Sequence, residues 1–130
     1  MKNYNSKFKI DIKKRTYLYA LNIIKFLDQL SKNDLSCEVI GKQLLRSATS
    51  IGANIVEAQA ASSKKDFTNF LNHSLKSSNE SKFWLGLLRD SNKATKESVN
   101  PLLAETKELA NILASSILKL KGKNKTIFIF

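Results

Sequence analysis

Apolar residues recur at helical spacing in the middle of this chain, between residues 43 and 90. Steps of three and four residues place one set of them on a single face of an α-helix: Leu44, Ala48, Ile51, Ile55 and Ala58. The opposite side carries a narrow polar stripe, made of Gln43, Arg46, Ser47, Ser50, Asn54 and Glu57. The pattern predicts an amphipathic helix whose polar stripe is either a functional site or the solvent-facing side of the helix.

The same periodicity predicts an all-α single domain with four helices, over about residues 11–30, 36–61, 64–91 and 101–121. Asp34 or Ser36 is the expected cap of the second helix, and Ser63 with Asp66 has the form of a capping box for the third. Asn100 followed by Pro101 is a typical start for the fourth. Residues 1–10 are predicted to be a loose basic arm, and residues 126–130 form an apolar tail that could pack on its own bundle or on a neighbouring subunit.

Short connections between the helices predict an up-down-up-down bundle. The first helix carries more apolar residues than one buried face requires, since only Asn22, Lys25 and Gln29 form a clear polar side. We therefore expect a second buried surface on this helix, and hence self-association. Gly52 lies inside the second helix, where its lack of a side chain is expected to permit close approach of another backbone.

Positive charge is concentrated at a few places in the chain. The formal net charge is +11, and residues 1–16, 62–66 and 119–130 carry ten of these charges. In an up-down-up-down bundle these three segments meet at one end, which favours an anionic partner such as RNA or DNA. The alternative is a set of solubilising termini. The predicted basic pole comprises Lys9, Lys13, Lys14, Arg15, Lys64, Lys65, Lys119, Lys121 and Lys123.

The sequence offers little catalytic chemistry. Cys37 is the only cysteine and His73 the only histidine, so a thiolate metal cluster or a catalytic triad is not expected. We predict no catalytic residues, metal or cofactor, and no membrane-spanning segment; a reducing cytoplasm is the expected compartment. The serines in the middle of the third helix are expected to allow close packing, with a polar ligand cavity as the alternative; they are Ser74, Ser77, Ser78 and Ser81.

Two motifs are similar to those of a known family. They are Ser-Ile-x-x-Asn-Ile-x-Glu at residues 50–57 and Ser-Lys-Lys-Asp-Phe at residues 63–67, and Glu80, Phe83-Trp84-Leu85 and Leu87-Leu88 follow. This stretch resembles the bacterial 23S rRNA intervening-sequence proteins. Gly52 and Ala58 depart from the commonest pattern, which has proline and glycine there, so a proline kink in the second helix is in doubt.

The resemblance implies a left-handed up-down-up-down bundle that assembles as a ring-shaped homopentamer without established catalytic activity. It places Arg46, Ser50, Asn54 and Glu57 among the signature residues of the family, so the resemblance implies a subunit interface or an ion-paired network for the polar stripe as the alternative to a solvent-facing side. The expected function is that of a non-enzymatic oligomer that binds nucleic acid, RNA above all, through the basic pole. The alternative is a structural or adaptor oligomer that binds another protein.

Overall fold

The computed structural model describes the backbone of residues 2–122 and the side chains of residues 12–122. Four helices account for nearly all of this part of the chain. They are α1 (Lys2–Asp28), α2 (Leu35–Gln59), α3 (Lys64–Asp90) and α4 (Lys96–Leu120). The prediction of an all-α four-helix bundle is confirmed.

Successive helices run antiparallel. Gly52 of α2 faces Thr16 of α1, while Gly41, earlier in α2, faces Leu27, later in α1. Between α2 and α3, Ser47 contacts Ser81 and Ile51 contacts Ser74. The start of α1, the α2–α3 turn and the end of α4 therefore lie at one end of the bundle.

The core is formed where the four apolar stripes meet. The predicted face of α2, from Leu44 to Ala58, is buried throughout, and so are Leu71, Leu85 and Leu88 of α3. Helix α1 contributes Tyr19 and Ile23, and the stripe of α4 is buried at Thr106, Leu109, Leu113 and Ile117. Tyr19 is anchored by a 2.6 Å hydrogen bond between its hydroxyl and that of Thr106. Burial raises the pKa of Tyr19 to about 12, so this tyrosine stays protonated at neutral pH.

Two helix starts differ from their predictions. Helix α1 begins at Lys2 instead of near Asp11, so residues 2–10 belong to the helix and do not form a loose arm. These residues contain neither glycine nor proline, and nothing in the sequence ends the helix there. The apolar tail at residues 126–130 lies outside the described residues.

Helix α4 begins at Lys96, five residues before the predicted start at Pro101. Its N-cap is Thr95, whose hydroxyl accepts a 3.1 Å hydrogen bond from the backbone N–H of Ser98. The earlier start also buries Val99 completely. Asn100 is therefore a helical residue, and its side chain accepts a hydrogen bond from Arg89. The predicted caps Asp34 and Ser63 are confirmed.

Candidate nucleic-acid interface

The described lysines of the basic pole lie at one end of the bundle. Ile12, Ala58, Phe67 and Leu120, one from each helix, line a single cavity at this end. The six described lysines near it are all exposed: Lys13, Lys14, Lys64, Lys65, Lys119 and Lys121. Lys123 and the side chain of Lys9 lie outside the described residues.

Arg15 differs from these lysines because it is paired within the chain. Its guanidinium donates two hydrogen bonds to the carboxylate of Glu105 on α4, of 2.7 and 3.2 Å, and lies 3.7 Å from Glu108. Such a two-point contact fixes the guanidinium in one orientation. The position of Arg15 is explained by the α1–α4 contact, and its predicted role in binding has no geometric support.

Acidic residues reduce the positive charge on parts of this end. Glu108 lines the same cavity as Lys119, and the exposed Glu57 lies in the last turn of α2. Neither glutamate belongs to the three sequence segments from which the positive charge of the basic pole was calculated. This end of the bundle therefore carries exposed lysines, one of which lines the cavity, together with carboxylates of α2 and α4.

The polar stripe of α2 faces α3 along much of its length. Arg46 donates to the carboxylate of Glu80, which also accepts a 2.9 Å hydrogen bond from the indole N–H of Trp84. Ser50 accepts hydrogen bonds from Ser77 of α3, at 3.0 Å, and from Asn54, at 2.9 Å. The stripe is thus largely an intrachain network between two helices.

Glu57 is the last residue of the polar stripe. The arginine of the stripe, Arg46, contacts Glu80 and Gln43. Glu57 is exposed on the last turn of α2.

The buried serines pack the seam between α2 and α3. Ser47, which belongs to the polar stripe in sequence, is fully buried and lies 2.8 Å from the hydroxyl of Ser81. Ser74 donates to the carbonyl of Ile51 across the seam, and Ser78 donates to the carbonyl of Ser74 in its own helix. All four hydroxyls have partners inside the protein. This geometry supports packing over a polar ligand cavity.

A second surface feature is the apolar side of α1 and α2. Tyr17 is 67% exposed, and Leu18, Leu21 and Ile24 are also exposed, as the apolar excess of α1 led us to expect. On α2, Leu45 and Val56 are exposed as well. Tyr17 and Val56 line a groove of about 600 Å³ between the two helices.

The far end of the bundle is less positive than its lysines suggest. Lys93 donates a 2.7 Å hydrogen bond to Asp34, the residue that caps α2. The hydrogen bond from Lys93, together with the backbone N–H of Cys37, lowers the pKa of the Asp34 carboxyl. The carboxylate of Asp34 therefore neutralises Lys93.

Other chemistry is sparse over residues 12–122. No group of three or more His, Cys, Asp and Glu side chains in this range is arranged to hold a metal ion. His73 is exposed and meets the ring of Phe70 edge to face, and the thiol of Cys37 is buried. None of the helices in the described chain combines the length and apolar character required to cross a bilayer.

Known proteins share both the sequence pattern and the architecture. A crystal structure of a protein of unknown function from the S23 ribosomal protein family of Bacteroides thetaiotaomicron is similar, with a TM-score of 0.78 and 38% sequence identity. The match covers 84% of this chain and 96% of that one. No curated protein matches the chain. The family model described as "23S rRNA-intervening sequence protein" matches residues 9–115. The chain therefore belongs to the 23S rRNA-intervening sequence protein family.

Proposed function

We propose that this protein is a non-catalytic nucleic-acid-binding protein that contacts RNA through the described lysines of the basic pole. The observation that carries the proposal is the meeting of three exposed lysine pairs from three helices at one end of the bundle. Lys64 and Lys65 lie in the first turn of α3, where the helix dipole disfavours cations. Helix stability therefore does not explain their position, whereas an anionic ligand does.

The proposed contacts are with phosphates. Flexible ammonium groups near the ends of helices attract the nucleic-acid backbone and carry little information about base sequence. Binding of this kind releases counterions, so affinity falls steeply as the salt concentration rises. The protein is expected to bind many RNA sequences with similar affinity.

We further propose that the chain self-associates through the apolar side of α1 and α2, with a homopentamer as the expected assembly. Tyr17, Leu21 and Ile24 lie on the outer side of α1, and Val56 borders the groove between α1 and α2. Contiguous apolar surface of this kind is typical of an interface. An oligomer would also multiply the lysine clusters and so raise the avidity for a long RNA.

A protein partner is the second candidate. Phe83 is 58% exposed on the outer side of α3, and Leu87 lies one turn further along the same side. An exposed aromatic residue beside an exposed leucine is suited to a protein contact. In this adaptor function the lysines would only increase solubility.

Neutralising four lysines tests the binding proposal. The variant Lys13→Gln, Lys14→Gln, Lys64→Gln, Lys65→Gln is expected to bind a fluorescent single-stranded RNA about tenfold or more weakly at low salt, because it loses several phosphate contacts. Its plot of log affinity against log salt concentration should also be shallower. Fluorescence anisotropy at several salt concentrations measures both quantities.

A matched control removes the same charge from the other end of the bundle. The variant Lys25→Gln, Lys32→Gln, Lys42→Gln, Lys96→Gln changes four exposed lysines and is expected to keep most of the affinity. Equal losses of RNA affinity in the two variants would show that only the net charge of the protein matters, and not the position of the lysines. Absence of binding by the unmodified protein at low salt would refute the proposal.

The interface proposal is tested by measuring mass in solution. The unmodified protein is expected to sediment as an oligomer, and Leu21→Glu with Ile24→Glu is expected to yield the 14.6 kDa chain as a monomer with its helical content retained. Phe83→Glu is the control, since it places the same charge on the exposed side of α3. A monomeric unmodified protein would contradict self-association, and dissociation by Phe83→Glu alone would place the interface on α3.

A further inference from the structure

The cavity at the lysine-rich end of the bundle is an open apolar groove beside the end of α4, and it is distinct from the groove between α1 and α2. It has a volume of about 590 Å³, and its apolar lining comes from all four helices, with Ile12, Ile55, Phe67 and Leu120 among the residues. Its longest wall is the last three turns of α4, from Glu108 to Leu120. An exposed groove of this size and composition is suited to apolar side chains from a peptide segment.

The described chain ends beside this groove. Helix α4 stops at Leu120, which lines the groove, and Gly122 has a φ of 107°. A glycine in this conformation just after a helix turns the chain away from the helix axis. Helix α4 therefore ends beside the groove and does not continue through Gly122.

The residues that follow have the composition and the length to fill the groove. Residues 126–130 read Thr-Ile-Phe-Ile-Phe, so four of the five are large and apolar. The wall from Glu108 to Leu120 is about 18 Å long at 1.5 Å per helical residue. The eight residues after Gly122 can span roughly 26–29 Å when extended, which is enough to reach the groove and run its length.

We propose that residues 126–130 dock in the groove of their own chain and cover its apolar lining. The short connection through residues 123–125 makes the contact intramolecular, so the segment reaches its own groove at an effective concentration of about millimolar. Docking removes the apolar side chains of the segment from water, where an exposed run of this composition promotes aggregation. The inference does not depend on nucleic-acid binding.

A disulfide trap tests the docking. Cys37 is buried near the start of α2, at the other end of the bundle, so engineered cysteines can be introduced with little interference from it. Ser116→Cys and Asn111→Cys place a thiol on the α4 wall of the groove, each combined with Phe128→Cys. Under mild oxidation at least one pair is expected to form an intramolecular disulfide about tenfold faster than a distant pair, as judged by non-reducing electrophoresis and by mass.

The distant pair combines Phe128→Cys with Ser91→Cys, which lies at the other end of α3. Covalent dimers whose yield grows with protein concentration would show that the segment occupies a neighbouring copy. Failure of both groove positions to exceed the distant pair would show that the groove holds something else, such as the first turns of α1. Either result overturns the proposal.

Discussion

Replacing Ser78 by leucine is expected to destabilise the folded chain by about 3 kcal/mol, because the larger side chain must enter a closely packed seam. Ser78 has no exposed surface, and it lies on α3 between Ser74 and Ser81, which contact α2 directly. Leucine at this position would push α2 and α3 apart and strain both cross-helix hydrogen bonds. Urea unfolding followed by circular dichroism measures the change.

Two other variants separate packing from the remaining effects of the substitution. Ser78→Ala removes only a hydroxyl that donates to the carbonyl of Ser74 in its own helix, so its effect is expected to stay within about 1 kcal/mol. Asn79→Leu adds the same leucine to the exposed side of α3 and should change stability by no more than about 0.5 kcal/mol. If the serines instead lined a ligand cavity, Ser78→Leu would fill it and be tolerated.

Periodicity predicted the parts of this fold that depend on one helix at a time. The face of α2 from Leu44 to Ala58 is buried because residues three and four apart share a helix face whatever lies opposite. The caps at Asp34 and Ser63 depend only on a side-chain oxygen near the first free amides. These local rules were sufficient for the architecture.

Contacts between helices could not be predicted in this way. The partners of Arg15 and Arg46 lie 90 and 34 residues away in the chain. These pairings depend on how neighbouring helices are aligned along their axes. A shift of one turn would have paired Arg46 with another residue of α3. The exposure of Leu45 and Val56 has the same origin, since a residue at the margin of an apolar face is buried only when a neighbour covers it.

The sequence predicted one feature of the basic pole correctly and missed another. The direction of each helix was enough to bring Lys13, Lys64 and Lys119 to one end of the bundle. Adding the charges of three sequence segments, however, treated Arg15 like the lysines. Only the position of Glu105 on α4 shows that the guanidinium is paired within the chain.

Gly52→Val is expected to cost about 2 kcal/mol of stability, because α1 crosses α2 closely at this glycine. A Cβ atom at position 52 would lie 3.1 Å from the hydroxyl oxygen of Thr16 and 3.2 Å from its Cβ, closer than ordinary van der Waals contact. Replacing a glycine inside a helix normally stabilises the protein, so a decrease in stability at this position measures the clash. Thermal and urea unfolding determine the sign and the size.

Gly86 provides the matched control for this prediction. It lies inside α3, and apart from the backbone of its own helix and its chain neighbours no atom lies within 4 Å of the place a Cβ would occupy, so Gly86→Val should be neutral or stabilise by a few tenths of a kcal/mol. Thr16→Ala removes the nearest oxygen and should recover part of the loss when it is combined with Gly52→Val. Because the hydroxyl of Thr16 only donates to the carbonyl of Lys13 in its own helix, Thr16→Ala alone should cost little. Strictly additive effects of the two substitutions would show that Thr16 is not what restricts position 52.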